Sequence, residues 1–353
     1  MHFSTDAINN AKAVDFLVGL LNTPSPTGYT PEGIAYVRAA FEALNIPNFT
    51  IDTTNKGSLR LHWKGATAEK PRGVTAHVDT LGAMVKEVKA NGRLKLAQLG
   101  GWMWPAVEFE TVTIRTQDDR RYRGTILPVN ASTHVSKDVA TLIRNESNME
   151  VRLDAKVFSA ADTRALGIEV GDFVFLDPHV EVIDTGFIRS RHLDDKICVA
   201  NIYSAIDAMH ASGEIPAHDT LFIISNYEEV GHGGAAGWPE NLDELLAIDM
   251  AAMGEGQTSD EYSVTICVKD SSGPYHLLMN QKLHALVKTH DIPHKTDIYP
   301  FYSSDGSAYW RAGGDARVGL IGPGVDASHA YERSHEEGLF HTTHLLVRYL
   351  LEP

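Results

Sequence analysis

Residues 222–234 read FIISNYEEVGHGG, an apolar run that ends in two glutamates and a glycine-rich turn. A short apolar run bounded by turn residues is typical of a buried strand, here predicted at Leu221–Ser225. Helical spacing precedes it from Asp194 to Ser212, and another short apolar run follows at Leu245–Ile248. Helices that alternate with buried strands predict an α/β fold with a mostly parallel central sheet flanked by helices.

The same alternation extends outward in both directions along the chain. The remaining predicted helices are Thr5–Leu21, Pro31–Leu44, Tyr275–His290 and Glu336–Leu351, and the remaining predicted strands are Thr50–Trp63, Gly73–Val78, Tyr262–Val268 and Ala316–Ile321. Between the two α/β parts, from about residue 86 to residue 183, short β-type runs such as EFETVTIRT and RYRGTILPV replace the helices. We therefore expect one α/β domain, residues 1–82 plus 181–353, interrupted by a small β-barrel-like domain at residues 83–180.

Composition narrows the class of protein. A chain of 353 residues with 43% hydrophobic and 22% charged residues can bury a sizeable core, which excludes a disordered or fibrous protein. The formal charge of −15 opposes binding to nucleic acid or to an anionic membrane. The first residues show no signal-peptide pattern, and Cys198 and Cys267 lie within regular segments. We expect a cytoplasmic protein without disulfides.

Metal-type side chains follow the predicted strands. VTAHVD (Val74–Asp79) ends a strand with His77, and Asp79 is spaced so that its carboxylate can orient the imidazole. HLDDK (192–196) places two adjacent acids at the start of a helix. Because functional side chains gather beyond the carboxyl ends of parallel strands, these groups are expected to lie together.

Three more strand ends complete the pattern. EEVG supplies Glu228 and Glu229, LLAIDM supplies Asp249, and VDASHAYER supplies His329, with Glu332 beyond it. Two histidines and several carboxylates suit zinc, cobalt or manganese. A carboxylate shared by two such metals holds them about 3.5–4 Å apart, where they can acidify one water and polarise one carbonyl. We assign Glu228 as the general base that accepts the proton from that water.

A simpler explanation exists for each acid taken alone, because most Asp and Glu side chains are helix caps or solvated surface groups. The glutamate pair argues otherwise. An apolar strand that runs directly into Glu228 and Glu229 would leave two charges near a buried sheet end without compensation. Bound metal ions would supply that compensation.

The ordered motifs AHVD, GGW (Gly100–Trp102), LDDK, EEVG, AIDM and SHAYER resemble those of the glutamyl-aminopeptidase and TET aminopeptidase family of dinuclear metallopeptidases. The likeness covers nearly the whole chain. It implies removal of N-terminal residues from peptides with two divalent metals, zinc first and cobalt or manganese as alternatives. The roles that it implies are His77 and Asp249 on one metal, Glu229 and His329 on the other, Asp194 as the bridge, Glu228 as the base and Asp79 as the orienter of His77.

The resemblance also implies a homo-oligomer, in which dimers formed through the β domain assemble into tetrahedral dodecamers that admit peptides. Four questions stay open on the sequence.

Asp195 could replace Asp194 as the bridge. The unusual segment Ser303–Gly306, with Ser328–Arg333, leaves room for a specialised small amide or dipeptide as the substrate. A non-catalytic scaffold of the same fold is a more remote alternative, and His232 is a candidate for contact with substrate.

Overall fold

The computed structural model describes residues 3–353. The N-terminal part places two helices before three strands: α1 (Asn10–Leu21), α2 (Pro31–Ala43), β1 (Phe49–Thr53), β2 (Leu59–Trp63) and β3 (Thr67–His77). The Asn9 side chain caps α1 by accepting from the Lys12 amide, and proline begins α2, where its fixed φ suits a first helical turn.

The middle of the chain forms a second, smaller unit. Its elements are β4 (Gly82–Val88), β5 (Leu94–Leu99), β6 (Thr111–Arg115), β7 (Arg121–Pro128), β8 (Met149–Leu153), α3 (Ala160–Ala165) and β9 (Phe173–Leu176). The strands pair antiparallel and close into a barrel in the order β4-β5-β8-β7-β6-β9. Leu94, Val112, Ile126 and Val151 are fully buried inside it. The predicted β-barrel-like insert is confirmed, whereas the division at residues 82 and 180 stays a prediction.

The rest of the chain returns to alternating helices and strands. Its elements are β10 (Glu181–Val182), β11 (Phe187–Ser190), α4 (Leu193–Ala211), β12 (His218–Ser225), β13 (Glu244–Ile248), β14 (Ala251–Ala252), β15 (Val264–Asp270), β16 (Gly273–Pro274), α5 (Leu277–Thr289), β17 (His294–Ile298), α6 (Asp305–Arg311), β18 (Arg317–Val325), β19 (Glu332–His335) and α7 (Glu336–Leu351). A separate small sheet joins β10, β11 and β19.

The central sheet has the order β1-β2-β12-β3-β13-β18-β15-β16, with β14 on β18 and β17 on β15. The middle strands β12, β3, β13 and β18 are parallel, and the strands toward each edge include antiparallel pairs. The predicted fold class is confirmed. One prediction was too coarse, because Thr50–Trp63 is a hairpin whose turn includes Gly57 with a φ of +85°.

Apolar side chains of the sheet fill cores on both faces. In β13, Leu246 and Ile248 belong to the core under α1, α4 and α7, whereas Leu245 and Ala247 belong to the core under α6. This alternation follows from the two-residue period of a strand. Cys198 and Cys267 are buried and unpaired. Within residues 3–353, none of the helices has the length and apolar character needed to cross a membrane.

Candidate metal centre

Three neighbouring parallel strands end at one edge of the sheet and deliver most of the predicted residues. His77 is the last residue of β3, Asp249 follows β13, and a short 3-10 helix (Glu228–Val230) follows β12. Asp194 comes from the start of α4. The peptide bond between Asp194 and Asp195 is cis. The strand order places the residues that follow β3, β12 and β13 together, and the start of α4 adds Asp194.

The carboxylate of Asp194 lies between the two histidines. Its Oδ1 is 3.2 Å from Nε2 of His77, and its Oδ2 is 3.4 Å from Nε2 of His329. His329 sits in the loop between β18 and β19 with a φ of +64°. One carboxylate thus presents each of its oxygens to a different imidazole.

Both imidazoles are oriented by main-chain carbonyls. Nδ1 of His77 lies 2.8 Å from the carbonyl oxygen of Asp79, and Nδ1 of His329 lies 2.8 Å from that of Gly101. A carbonyl only accepts, so each Nδ1 donates a hydrogen bond to its carbonyl, and each Nε2 is the ring nitrogen that faces the acids and is available to a metal ion. This is the arrangement by which proteins prepare histidine for a metal.

The remaining acids surround the His77–Asp194–His329 arrangement. One oxygen or nitrogen from each of His77, Asp195 and Asp249 lies within 4.8 Å of the others, and the same holds for His77, Asp194 and Glu229. Asp195 Oδ1, Glu229 Oε1 and Asp249 Oδ1 are buried without a hydrogen-bond partner among the described residues. Buried carboxylate oxygens without partners are costly, and metal ions bound within the cluster would satisfy them.

The electrostatics point the same way. Burial, with the Asp194 charge added, raises the pKa of Glu229 to about 8. Burial likewise raises the pKa of Asp249 to about 8, and it raises that of Asp195 well above its ordinary value. Burial lowers the pKa of His329, but hydrogen bonding to Asp194 reverses this and raises it to about 10. The carboxylates of the cluster outnumber its two histidines, so the donors present fit divalent metal ions.

The glutamate pair points in two directions. Glu229 Oε2 lies 3.6 Å from Nε2 of His329, and its side chain is 3% exposed. Glu228 Oε2 lies 3.8 Å from Nε2 of His77, its side chain is 13% exposed, and it lines the open cleft. Burial raises the pKa of Glu228 well above its ordinary value. Both glutamates line the cleft, and Glu228 is the more exposed of the two.

Asp79 holds the glutamates more directly than it holds His77. Its carboxylate accepts from the amides of Glu228 at 3.2 Å and Glu229 at 3.3 Å, and from the Thr27 hydroxyl at 2.7 Å. Its Oδ1 is 3.7 Å from Nδ1 of His77, which is nearer the Asp79 carbonyl. In this structure the orienting group for His77 is the main chain of Asp79, whereas the side chain fixes the Glu228–Glu229 turn.

A cleft of about 920 Å³ opens above the group of candidate metal ligands, called here the acidic cluster. Its members are His77, Asp194, Asp195, Glu229, Asp249 and His329. One wall is the segment 250–257, the opposite wall is the segment 299–303, and Met103 of the barrel unit reaches the rim. Glu228 and the acids of the cluster form the floor. A ligand that enters the cleft therefore meets the cluster directly.

Comparison with known proteins decides the family. The model of the M42 glutamyl aminopeptidase family matches residues 57–345, most of the chain. The chain belongs to this family. A Bacillus subtilis (strain 168) protein named "Putative aminopeptidase YhfE" is 47% identical to this M42 chain over 343 residues, which cover 97% of the chain and 98% of the relative. The predicted resemblance is confirmed, and the M42 chain is an aminopeptidase by family.

Solved structures agree on the fold. The aminopeptidase APDkam598 from the archaeon Desulfurococcus kamchatkensis superposes with a TM-score of 0.87 at 20% identity, covering 98% of the M42 chain and 96% of its own. The Pyrococcus horikoshii TET1 peptidase, described as assembling into a tetrahedron or a large octahedral shell, gives a TM-score of 0.82 at 17% identity, with 97% and 100% covered. At these identities the likeness concerns the fold alone.

The sequence did not assign a role to Glu332 or Asp305, two residues that hold this M42 site together through hydrogen bonds. Glu332 is fully buried and accepts the amide of Asp194 through Oε2 and the amide of His329 through Oε1, both at 3.0 Å. Asp305 accepts the Thr75 hydroxyl at 3.1 Å and the Gly234 amide at 2.6 Å, which ties β3 to the turn after the glutamates. The position of Glu332 three residues after His329 was the available signal.

His232 does not reach the cleft. Its ring stacks on Tyr227 with centroids 5.2 Å apart, and its Nδ1 lies 3.3 Å from the amino group of Lys56. In the glycine-rich turn at residues 231–234, Gly231 is the one residue that lines the cleft beside Glu228 and Glu229. The structure therefore gives His232 a place in the support of the turn.

Proposed function

We propose that the chain is a dinuclear metal-dependent aminopeptidase that removes N-terminal residues from peptides. The observation that carries the proposal is the Asp194 carboxylate, which presents one oxygen toward His77 and the other toward His329. In this arrangement His77 and Asp249 would hold one ion, His329 and Glu229 the other, and Asp194 both. Zinc fits these donors first, with cobalt or manganese as alternatives.

Two divalent ions held there would acidify a water and polarise the scissile carbonyl. The protein supplies the proton transfer. The Glu228 carboxylate faces the cleft, and burial raises its pKa above the ordinary value, which favours acceptance of a proton. The same carboxyl can then pass that proton to the departing amine. The Asp79 carboxylate keeps Glu228 in place by accepting from the backbone amide of Glu228.

The cleft favours peptides over the specialised alternatives. An acylated amino acid or a dipeptide carries a free carboxylate close to the bond that breaks, and sites that select such substrates pair it with a cation. Among residues 3–353, no lysine or arginine lines the cleft. A longer peptide places its carboxylate far from the scissile bond and needs no such partner.

A homo-oligomer is part of the proposal. Large apolar side chains stand exposed on loops of the barrel unit, with exposed fractions of 86% for Val135, 71% for Ile143 and 75% for Phe158. In the proposed oligomer a second subunit would cover these side chains. Dimers through residues 83–180 are the expected unit, and light scattering of the full chain would measure the assembly.

The decisive variant is Glu228→Gln. We expect it to keep its metals and to lose about 10²–10⁴-fold in turnover, the usual contribution of a positioned acid-base group. Metal-stripped enzyme is reconstituted with zinc, cobalt or manganese, metal content is measured, and release of N-terminal residues from anilides and peptides is followed. Glu240→Gln, on the exposed loop before β13, is the matched control. Full activity of Glu228→Gln would remove this residue from the base role.

A further inference from the structure

The walls of the cleft above the acidic cluster are largely apolar, although the family is named for glutamate. Its walls contribute Met250 and Met253 from one side and Phe301 and Tyr302 from the other, with Met103 at the rim. Phe301 is 98% exposed, although it is a large apolar side chain. Methionine walls are flexible and accommodate long apolar groups of different shape.

Charge in the walls is of one sign only. Apart from the acidic cluster and Glu228, Glu255 is the sole charged side chain among the described residues that line the cleft. Two cations beside the turn after Glu229 donate to main-chain carbonyls: Lys56 to that of Gly233 at 3.2 Å and Arg311 to that of Gly231 at 3.3 Å. A glutamate side chain placed here would lose its hydration, meet no cation in the walls and face Glu255.

The two segments that form the walls are tied to one another by hydrogen bonds. Asp297, buried at the end of β17, accepts from the Gln257 side chain at 3.0 Å and from the amides of Thr258 and Ser259 at 2.8 and 2.9 Å. It thereby anchors the segment that carries Met253 and Glu255 to the strand that leads into Phe301 and Tyr302. Gln257 is held by Asp297 and cannot turn its amide toward a ligand.

We propose that this cleft receives a long, uncharged apolar side chain of the substrate's first residue, such as methionine, leucine or phenylalanine, and excludes glutamate. The inference rests on the proposed aminopeptidase function and names its substrate class. Burial of an apolar side chain gains free energy against methionine and aromatic walls, whereas an unpaired carboxylate in the same place costs it.

The first test compares kcat/KM for leucyl, methionyl, phenylalanyl, glutamyl and lysyl anilides on the metal-loaded enzyme. We expect the apolar substrates to exceed the glutamyl one by about 10²-fold or more, a difference within reach of a single pocket. Equal or faster cleavage of the glutamyl or lysyl substrate would overturn the inference and leave the aminopeptidase in place. Failure of every anilide with metals bound would instead count against the proposed function.

A binding measurement keeps the inference testable in that last case. Titration calorimetry of the metal-loaded protein with free L-leucine and L-glutamate should show tighter binding of leucine, and the reverse order contradicts the proposal. The variant Met253→Lys introduces a cation into the wall and should raise the glutamyl-to-leucyl ratio by at least about 10-fold. Met84→Lys, at a similarly half-buried methionine on the barrel strand β4, is the matched control and should leave the ratio unchanged.

Discussion

The two halves of the acidic cluster are built differently. The inner half consists of His77, Asp195 and Asp249, which are 2%, 0% and 5% exposed and stand on strand ends and a helix start. The outer half consists of Glu229 and His329; His329 is on a loop, and its side chain is 38% exposed. Asp194 lies between them. The sheet and its cores fix the inner donors, whereas hydrogen bonds across loops hold the outer ones.

This difference implies two metal sites of unequal strength. Donors that are already fixed lose little conformational freedom when an ion binds, so the inner site should bind more tightly. The outer site includes an exposed imidazole and should exchange its ion more readily. The variants below either remove this difference or make it measurable.

The largest effect is expected for Asp194→Asn, because this carboxylate serves both halves. We expect the variant to lose both ions and its activity to fall to background. Metal analysis after dialysis and hydrolysis of leucyl anilide measure the two quantities. Asp195→Asn is the matched comparison, since Asp195 accepts from the His77 amide at 3.2 Å and belongs to the inner half. If Asp195→Asn lost both ions and Asp194→Asn kept one, Asp195 would be the bridge.

Substitution of each histidine by glutamine should separate the halves. His329→Gln removes an outer donor, so metal content should fall from two ions per chain to one, with a small change in Tm. His77→Gln should lower metal content and also Tm, because it leaves buried acids without their partner, at a cost of about 1–3 kcal/mol. Differential scanning fluorimetry of the metal-free forms measures the second effect. Equal loss of Tm in both variants would contradict the comparison.

The sequence named candidate donors in both halves, and the reason they should meet is clearest for the inner half. His77 and Asp249 directly follow apolar runs, and neighbouring parallel strands bring their ends to one edge whatever the loops do. The same reasoning predicted the barrel from short β-type runs. It could not choose between Asp194 and Asp195, because adjacent residues share every sequence signal and only the side-chain directions distinguish them.

Glu229 and His329 were also named from the sequence, but the contacts that orient them needed the structure, because those contacts join segments distant in the chain. Gly101 lies in the barrel unit, yet its carbonyl orients His329. Helix α6 was not predicted, since Asp305–Arg311 is too short to show periodicity, although Ser304 caps it. The turn in Thr50–Trp63 was missed for a simpler reason: Thr54–Gly57 carries ordinary turn residues that were included in a strand.

The smallest effect is expected for Glu332→Gln, which acts on the connection between the halves. Both oxygens of Glu332 accept amides, one from Asp194 and one from His329, whereas glutamine offers a single oxygen and turns a donor toward the other amide. The bridging carboxylate and the outer histidine then lose their common support. We expect metal affinity at the outer site to fall about 10–100-fold, as for other groups that orient ligands, while the inner ion stays bound.

Competition with a chelator of graded concentration would measure this affinity, with the activity of fully loaded enzyme as a second readout. Excess metal should restore most of the activity of Glu332→Gln, because Glu332 touches neither substrate nor the reacting atoms. Glu336→Gln, at the exposed start of α7, is the matched control. Loss of the inner ion first would show that Glu332 supports the buried donors instead, and would reverse the assigned order of the two halves.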